Sequence, residues 1–166
     1  MASREARLTR HTQWTLLLLI MDETITLKQG LEQFYKNYDS QLSHTQKNIP
    51  IEVRSFFKSH DIVHVLFGCD INLYGEGSVK IWTIFGTTLG FWNHIKLYRK
   101  SNAYELAKNF SSKHIALNLC TFLLRIPSLI IRAKRMKKLW PWSDFEAYLD
   151  RPLSEIRKEF NIILVS

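Results

Sequence analysis

Residues 51–68 read Ile51-Glu52-Val53-Arg54-Ser55-Phe56-Phe57-Lys58-Ser59-His60-Asp61-Ile62-Val63-His64-Val65-Leu66-Phe67-Gly68. Phe56, Phe57, Ile62, Val63, Val65, Leu66 and Phe67 occupy almost every direction around a helical axis. The pattern predicts a helix buried on most sides. Pro50 suits its first turn and Gly68 its C-terminal cap. Such a helix needs other elements packed around it. Strand-like alternation is scarce elsewhere, so the expected fold is all-α, a single-domain helical bundle.

Upstream, residues 3–20 and 24–38 predict two helices separated by Asp22-Glu23-Thr24, with Thr24 or Thr26 as N-cap of the second. Residues 39–50, rich in Ser, Gln, His and Asn, predict a loop or short turn. Downstream, residues 69–74 predict a loop, and Gly75 opens a helix running to about Tyr98. Residues 102–108 predict a short helix. Residues 112–139 predict a long helix, apolar then basic, bent or broken near Pro127. Trp140-Pro141-Trp142 punctuate its end. Ser143 starts a new turn, and Ser154 is the expected N-cap of a helix over 155–160. Ile162-Ile163-Leu164-Val165 predicts a strand-like tail.

The chain has 166 residues, 46% hydrophobic and 23% charged. That composition is globular, and the length suits one domain over 1–166. The net charge of +8 points to an anionic partner such as nucleic acid, a phosphorylated ligand or lipid head groups. Charge is the only nucleic-acid signal, so no nucleic-acid partner is expected. Cys69 and Cys120 form no CxxC pair, and reduced thiols are expected. Arg4, Arg7 and Arg10 precede a short apolar run over 16–21. That run has no small-residue cleavage site and reads as part of a core helix rather than a signal segment. No eighteen-residue apolar stretch predicts a membrane span.

The buried helix also carries chemistry. His60 and His64 stand at i and i+4, on one face, where both imidazoles can reach one point. Asp61 is offset to the side, able to ligate or to orient a histidine. Glu76 falls in the first turn of the next helix, where the macrodipole favours its ionised form. Gly75 and Gly77 flank it without side chains. Imidazole nitrogen and carboxylate oxygen suit zinc or iron(II) at roughly 2 Å. The bland alternatives are a pair of hydrogen-bonded core histidines and an Asp61 paired with Arg54. Several polar groups in an apolar setting, however, need strong partners. Four direct ligands would make a closed, structural site; Asp61 outside the shell would leave an open position. A zincin reading is weak, because Asp rather than Glu follows the first histidine. A His-Asp metal-dependent phosphohydrolase is a further alternative, though its remaining ligands have no visible spacing here.

The run His60-Asp61-Ile62-Val63-His64, the eleven residues before Glu76, and Asn72-Leu73-Tyr74-Gly75-Glu76 resemble the coenzyme Q biosynthesis protein 4 family. Its signature is His-Asp-x-x-His, eleven residues, then Glu. The segments Tyr148-Leu149-Asp150 and Arg157-Lys158-Glu159 look like the family's C-terminal helix. The resemblance is strong over 54–80. It implies an all-helical fold with an apolar groove or tunnel for an isoprenoid tail. It also implies a divalent metal held by His60, Asp61, His64 and Glu76, usually zinc, with iron(II) or magnesium as alternatives. The implied work is on a polyprenylated ring precursor of ubiquinone: removal of the ring carboxyl with hydroxylation at that carbon, or organising the other quinone-biosynthesis proteins as a scaffold. Zinc is not redox-active, so an oxidative step needs iron or another oxidant. No residue is singled out as catalytic. The resemblance further implies a peripheral place on the inner membrane, from the cytoplasm or, in a eukaryote, the mitochondrial matrix, and it allows a homodimer. A bacterial or shortened relative is expected, since the N-terminus is not transit-like.

The membrane features are weaker. Trp82 lies in an apolar stretch with Gly86 and Gly90 four apart, spacing that admits a helix or lipid tail and equally serves ordinary tight packing. Arg132, Lys134, Arg135, Lys137 and Lys138 form a basic band before Trp140 and Trp142. Basic residues with interfacial tryptophans fit an anionic bilayer surface, at about 1 kcal/mol per basic residue. A solvated helix face is the plainer reading of that band.

Overall fold

In a computed structural model of the chain, residues 25–46, 51–100 and 112–164 are described. They form six helices and no sheet: α1 Leu27–Gln46, α2 Ile51–Phe67, α3 Leu73–Gly86, α4 Gly90–Lys100, α5 Ser112–Lys134 and α6 Leu153–Phe160. A short 3-10 turn, Glu146–Tyr148, precedes α6. The all-α bundle expected from the pattern is the architecture found. The expected helices over 3–20 and 102–108, Thr24 and Pro50 lie outside the described residues.

α1 begins with a reciprocal cap. Gln29 N donates to Thr26 Oγ1 at 3.2 Å, and Thr26 N donates to Gln29 Oε1 at 2.9 Å. This is a capping box, which satisfies two otherwise orphaned donors. The helix runs on through Gln46 where a loop from residue 39 was expected. The residues there include Gln41, Leu42 and Gln46, which are good helix formers.

α2 is buried nearly all round, as its pattern requires. Ile62, Val63, Val65, Leu66 and Phe67 are all enclosed. Gly68 ends it with φ of +67°, a conformation that favours glycine. Asp70 then organises the turn into α3. It accepts from the Tyr38 hydroxyl and from Ile71 N, each at 2.7 Å, and from Asn72 Nδ2 at 3.1 Å. Asn72 in turn caps α3, accepting from Gly75 N at 2.7 Å. A Cβ at Gly75 would stand 1.8 Å from the Asp70 carbonyl oxygen, so only glycine fits this turn.

The single helix expected from Gly75 to Tyr98 is two helices. The Thr87 hydroxyl donates back to Thr83 O at 2.7 Å and accepts from Leu89 N at 3.3 Å. The backbone on either side turns to Trp140: Trp140 N donates to Gly86 O at 2.8 Å, and Thr88 N donates to Trp140 O at 2.9 Å. Side-chain competition for backbone groups and this outside partner stop the helix. Gly90, at φ of +69°, starts the next.

α3 packs on α2, α4 and α5. α5 passes through Pro127 without losing its helical assignment and stops at Lys134, short of the expected residue 139. α6 starts at Leu153 rather than after Ser154, and Pro152 gives its N-cap no side-chain bond. Asn161, left-handed at φ of 56°, closes it. The described part of the expected strand-like tail, residues 162–164, pairs with no strand. Trp140, Phe145, Leu153, Ile156 and Phe160 complete a core begun by Phe34, Phe67 and Trp82.

Candidate metal centre

His60 and His64 lie one turn apart on α2, with ring centroids 4.8 Å apart. The α2–α3 turn brings Glu76 opposite both. One carboxylate oxygen faces each ring: Glu76 Oε1 is 3.2 Å from His64 Nε2, and Oε2 is 3.6 Å from His60 Nε2. One ligand atom from each of the three residues lies within 4.8 Å of the others.

The opposite ring nitrogens have protein partners. His64 Nδ1 is 3.1 Å from the Cys69 carbonyl oxygen, an acceptor that requires the proton on Nδ1. His60 Nδ1 is 3.6 Å from Asp61 Oδ1. Both Nε2 atoms are turned toward Glu76. Orientation of a ligating histidine through its far nitrogen is the usual support for a metal site. Phe34 stacks on the His64 ring at 5.4 Å, and His64 is 1% exposed. The donor set, the free edges and the burial fit a divalent ion.

Asp61 stands beside this set rather than within it. Its Oδ1 faces His60, and its Oδ2 is buried with no hydrogen-bond partner among the described residues. Arg54 is exposed. Burial, then Asp61 beside it, pushes the Tyr35 phenol well above its ordinary range.

The electrostatics are those of a charged cluster held together by opposition. Burial disfavours charge on His60, but Asp61 and Glu76 outweigh it and raise the imidazole above its ordinary value. Burial likewise works against the Glu76 carboxylate, and His64, His60 and Lys80 more than offset it, holding the acid below its usual range. Burial pushes the Cys69 thiol above its ordinary range, and its sulfur is not among the donor atoms that meet at this point.

The residues expected at a lipid surface divide differently. Trp82, Trp140 and Trp142 are core residues, not interfacial ones. Trp82 stacks on Phe67 at 4.3 Å, and Gly86 makes room for the Trp82 ring and Met136. Trp142 packs on Phe56 at 5.5 Å. Gly90 serves the α3–α4 turn. In the basic band, Lys134, Arg135 and Lys137 are exposed, Arg132 donates to Leu164 O, and Lys138 pairs with Glu159. The exposed apolar residues include Phe85 on α3, Leu139 in the basic band, Phe91, Trp92 and Ile95 on α4, and Leu123, Leu124 and Ile131 on α5. Trp92 is 80% exposed and Leu124 82%. The α4 residues were legible only had the helix break at Thr87 been seen, because the break resets which face is buried. Among the described residues no helix is long and apolar enough to cross a membrane. A cleft of about 460 Å³ on α1 is lined by Ile25, Gln29, Glu32, Gln33 and Lys36, and so is not a purely apolar groove. No family model matches the chain, and no curated protein or solved structure matches it.

Proposed function

We propose that this chain is a metal-dependent, membrane-associated protein acting on a polyprenylated aromatic acid of isoprenoid-quinone synthesis, as its resemblance to the coenzyme Q biosynthesis protein 4 family implies. The observation that carries the reading is the convergence of His60, His64 and Glu76 on one point. Two histidines and one carboxylate leave coordination positions for a ligand. A divalent ion held there would supply Lewis acidity toward a head-group carboxylate or water. His60 and His64 fix the donors, and Asp61 and the Cys69 carbonyl fix the histidines. The apolar residues on α4 and α5 offer a surface for a lipid tail or bilayer, and Lys134, Arg135 and Lys137 offer charge to anionic head groups.

The scaffold reading, with a purely structural metal, calls for a closed four-ligand shell. The place of Asp61 at His60 Nδ1 favours the open site instead. The test is aerobic incubation of zinc- or iron(II)-loaded protein with a polyprenylated 4-hydroxybenzoate labelled at the carboxyl carbon. Labelled carbon dioxide above the metal-free and His64→Ala controls is the expected outcome. Stoichiometric metal with no release under either ion would defeat the catalytic reading and leave the scaffold.

A further inference from the structure

α2 ends in a Schellman turn. Gly68, at φ of +67°, takes the left-handed position, and Cys69 N reaches back to His64 O at 2.9 Å. The same turn carries the Cys69 carbonyl oxygen to His64 Nδ1, at 3.1 Å. His64 and Cys69 are therefore joined twice, once through the backbone and once through the ring. The ring presents Nε2 to Glu76 only while the turn keeps this shape.

What holds the turn comes from far along the chain. A helix ends in carbonyls that no later N–H of the same helix reaches. Cys69 N serves the one at His64. The next two, at Val65 and Leu66, lie among enclosed side chains, and Leu164 covers the turn, so close that a Cβ at Gly68 would stand 3.2 Å from it. An unpaired carbonyl in such a place is costly. Arg157 of α6 serves both: Nε donates to Leu66 O at 2.8 Å and Nη2 to Val65 O at 2.9 Å. Two donors on one rigid plane match two successive carbonyls, which the single ammonium of a lysine reproduces only in part. The guanidinium is enclosed to do this, since Arg157 is 5% exposed.

We infer that Arg157 is a positioning residue of the metal centre: its two bonds fix the turn that presents the Cys69 carbonyl to His64 Nδ1, and so reserve His64 Nε2 for the ion. The inference rests on the metal-centre reading for the role of His64, while the state of the ring is readable without any metal. Charge alone predicts the opposite effect on metal binding, because a cation removed from the neighbourhood of a cation site tightens that site.

The test measures zinc affinity by chelator competition, and the His64 ring by proton–nitrogen NMR of the metal-free protein. The proteins are the wild type, Arg157→Met, Arg157→Lys and Phe160→Leu, with the His64 signals assigned by their loss in His64→Ala. The wild type is expected to show an Nδ1 proton protected from solvent exchange. Arg157→Met is expected to weaken zinc binding about 10-fold or more, as for an outer partner of a ligating histidine, and to lose the Nδ1 protection. Arg157→Lys should change both in the same direction and by less. Phe160→Leu takes buried volume from the same helix, where the ring packs on Trp140 and Tyr148, and should lower stability with zinc affinity and the His64 signal unchanged. In a protein that binds zinc, affinity or Nδ1 protection equal to the wild type in Arg157→Met overturns the proposal; Arg157→Lys decides in its place where Arg157→Met does not fold. An equal loss in Phe160→Leu, or a wild type with no proton on Nδ1, overturns it too. Failure of both Arg157 variants to fold would make Arg157 a residue of the fold alone. A wild type that takes up no zinc defeats the metal reading alone, since Nδ1 protection in the metal-free proteins still decides whether Arg157 sets the ring.

Discussion

At His60 and His64 the deciding detail is which ring nitrogen remains for a ligand. The Cys69 carbonyl engages Nδ1 of His64, and Asp61 lies against Nδ1 of His60. The two Nε2 atoms are left for Glu76 and a shared ion. Asp61 therefore acts through His60, and the residues are expected to separate by severity. His64→Ala removes a direct donor from an enclosed position and should abolish uptake of one metal per chain, read by elemental analysis. Asp61→Asn keeps an oxygen that can accept from Nδ1 but loses the charge. It should retain the metal with affinity reduced about 10- to 100-fold, the range for an outer partner of a ligating histidine. Loss of metal in Asp61→Asn as complete as in His64→Ala would make Asp61 a direct ligand and the shell a closed one.

At the scale of the element, the α2–α3 turn does most to make the site. The histidine spacing and the helix beneath it were legible, because an i, i+4 pair on a buried helix leaves few other arrangements. The fold class was legible for the same reason. The break after Gly86 was not: Thr87 and Thr88 look like tolerable helix residues, and what stops the helix is a backbone partner, Trp140, more than fifty residues away. The burial of Trp140 and Trp142 has a like cause, since packing overrides what local composition suggests. Gly75 shows a local requirement instead. Its Cβ position is filled by the Asp70 carbonyl oxygen at 1.8 Å, within the turn that carries Glu76. Gly75→Ala must push that turn apart. The expected cost is about 1–3 kcal/mol of stability by chemical denaturation, with a loss of metal affinity because Glu76 moves with the turn. Stability and metal affinity both equal to the wild type would mean that the close approach does not exist in solution.

Across the molecule, the segment after α5 holds both ends of the layer that carries the site. Leu27 N and Lys28 N at the start of α1 donate to Arg151 O and Leu149 O at 3.0 and 2.8 Å. The buried Arg157 guanidinium donates to Val65 O and Leu66 O at 2.9 and 2.8 Å, capping the last turn of α2 beside His64. Charge on those terminal carbonyls is favourable, as at any helix C-terminus. Around this clamp lies a surface cluster in which Glu159 meets Lys138 at 2.5 Å and Arg151 at 2.7 Å, tying the chain after α5 to α6. Lys138 and Arg151 hold the Glu159 carboxyl below its usual range, and Glu159 raises the Lys138 ammonium above its own. A lowered folded-state acid stabilises above its unfolded pKa and loses that contribution as pH falls through the lower folded value. A raised amine contributes below its unfolded pKa and loses it as pH rises through the folded one. The cluster should therefore stabilise across roughly pH 5 to 10 and fade at both ends. Glu159→Gln is expected to melt below the wild type near pH 7, with a deficit that shrinks in high salt, because these groups face solvent. The deficit should vanish in acid, where the wild-type carboxyl is itself protonated. Melting curves of the two proteins at several pH values make the comparison. A deficit that persists undiminished in acid would assign the effect to packing of the side chain rather than to its charge.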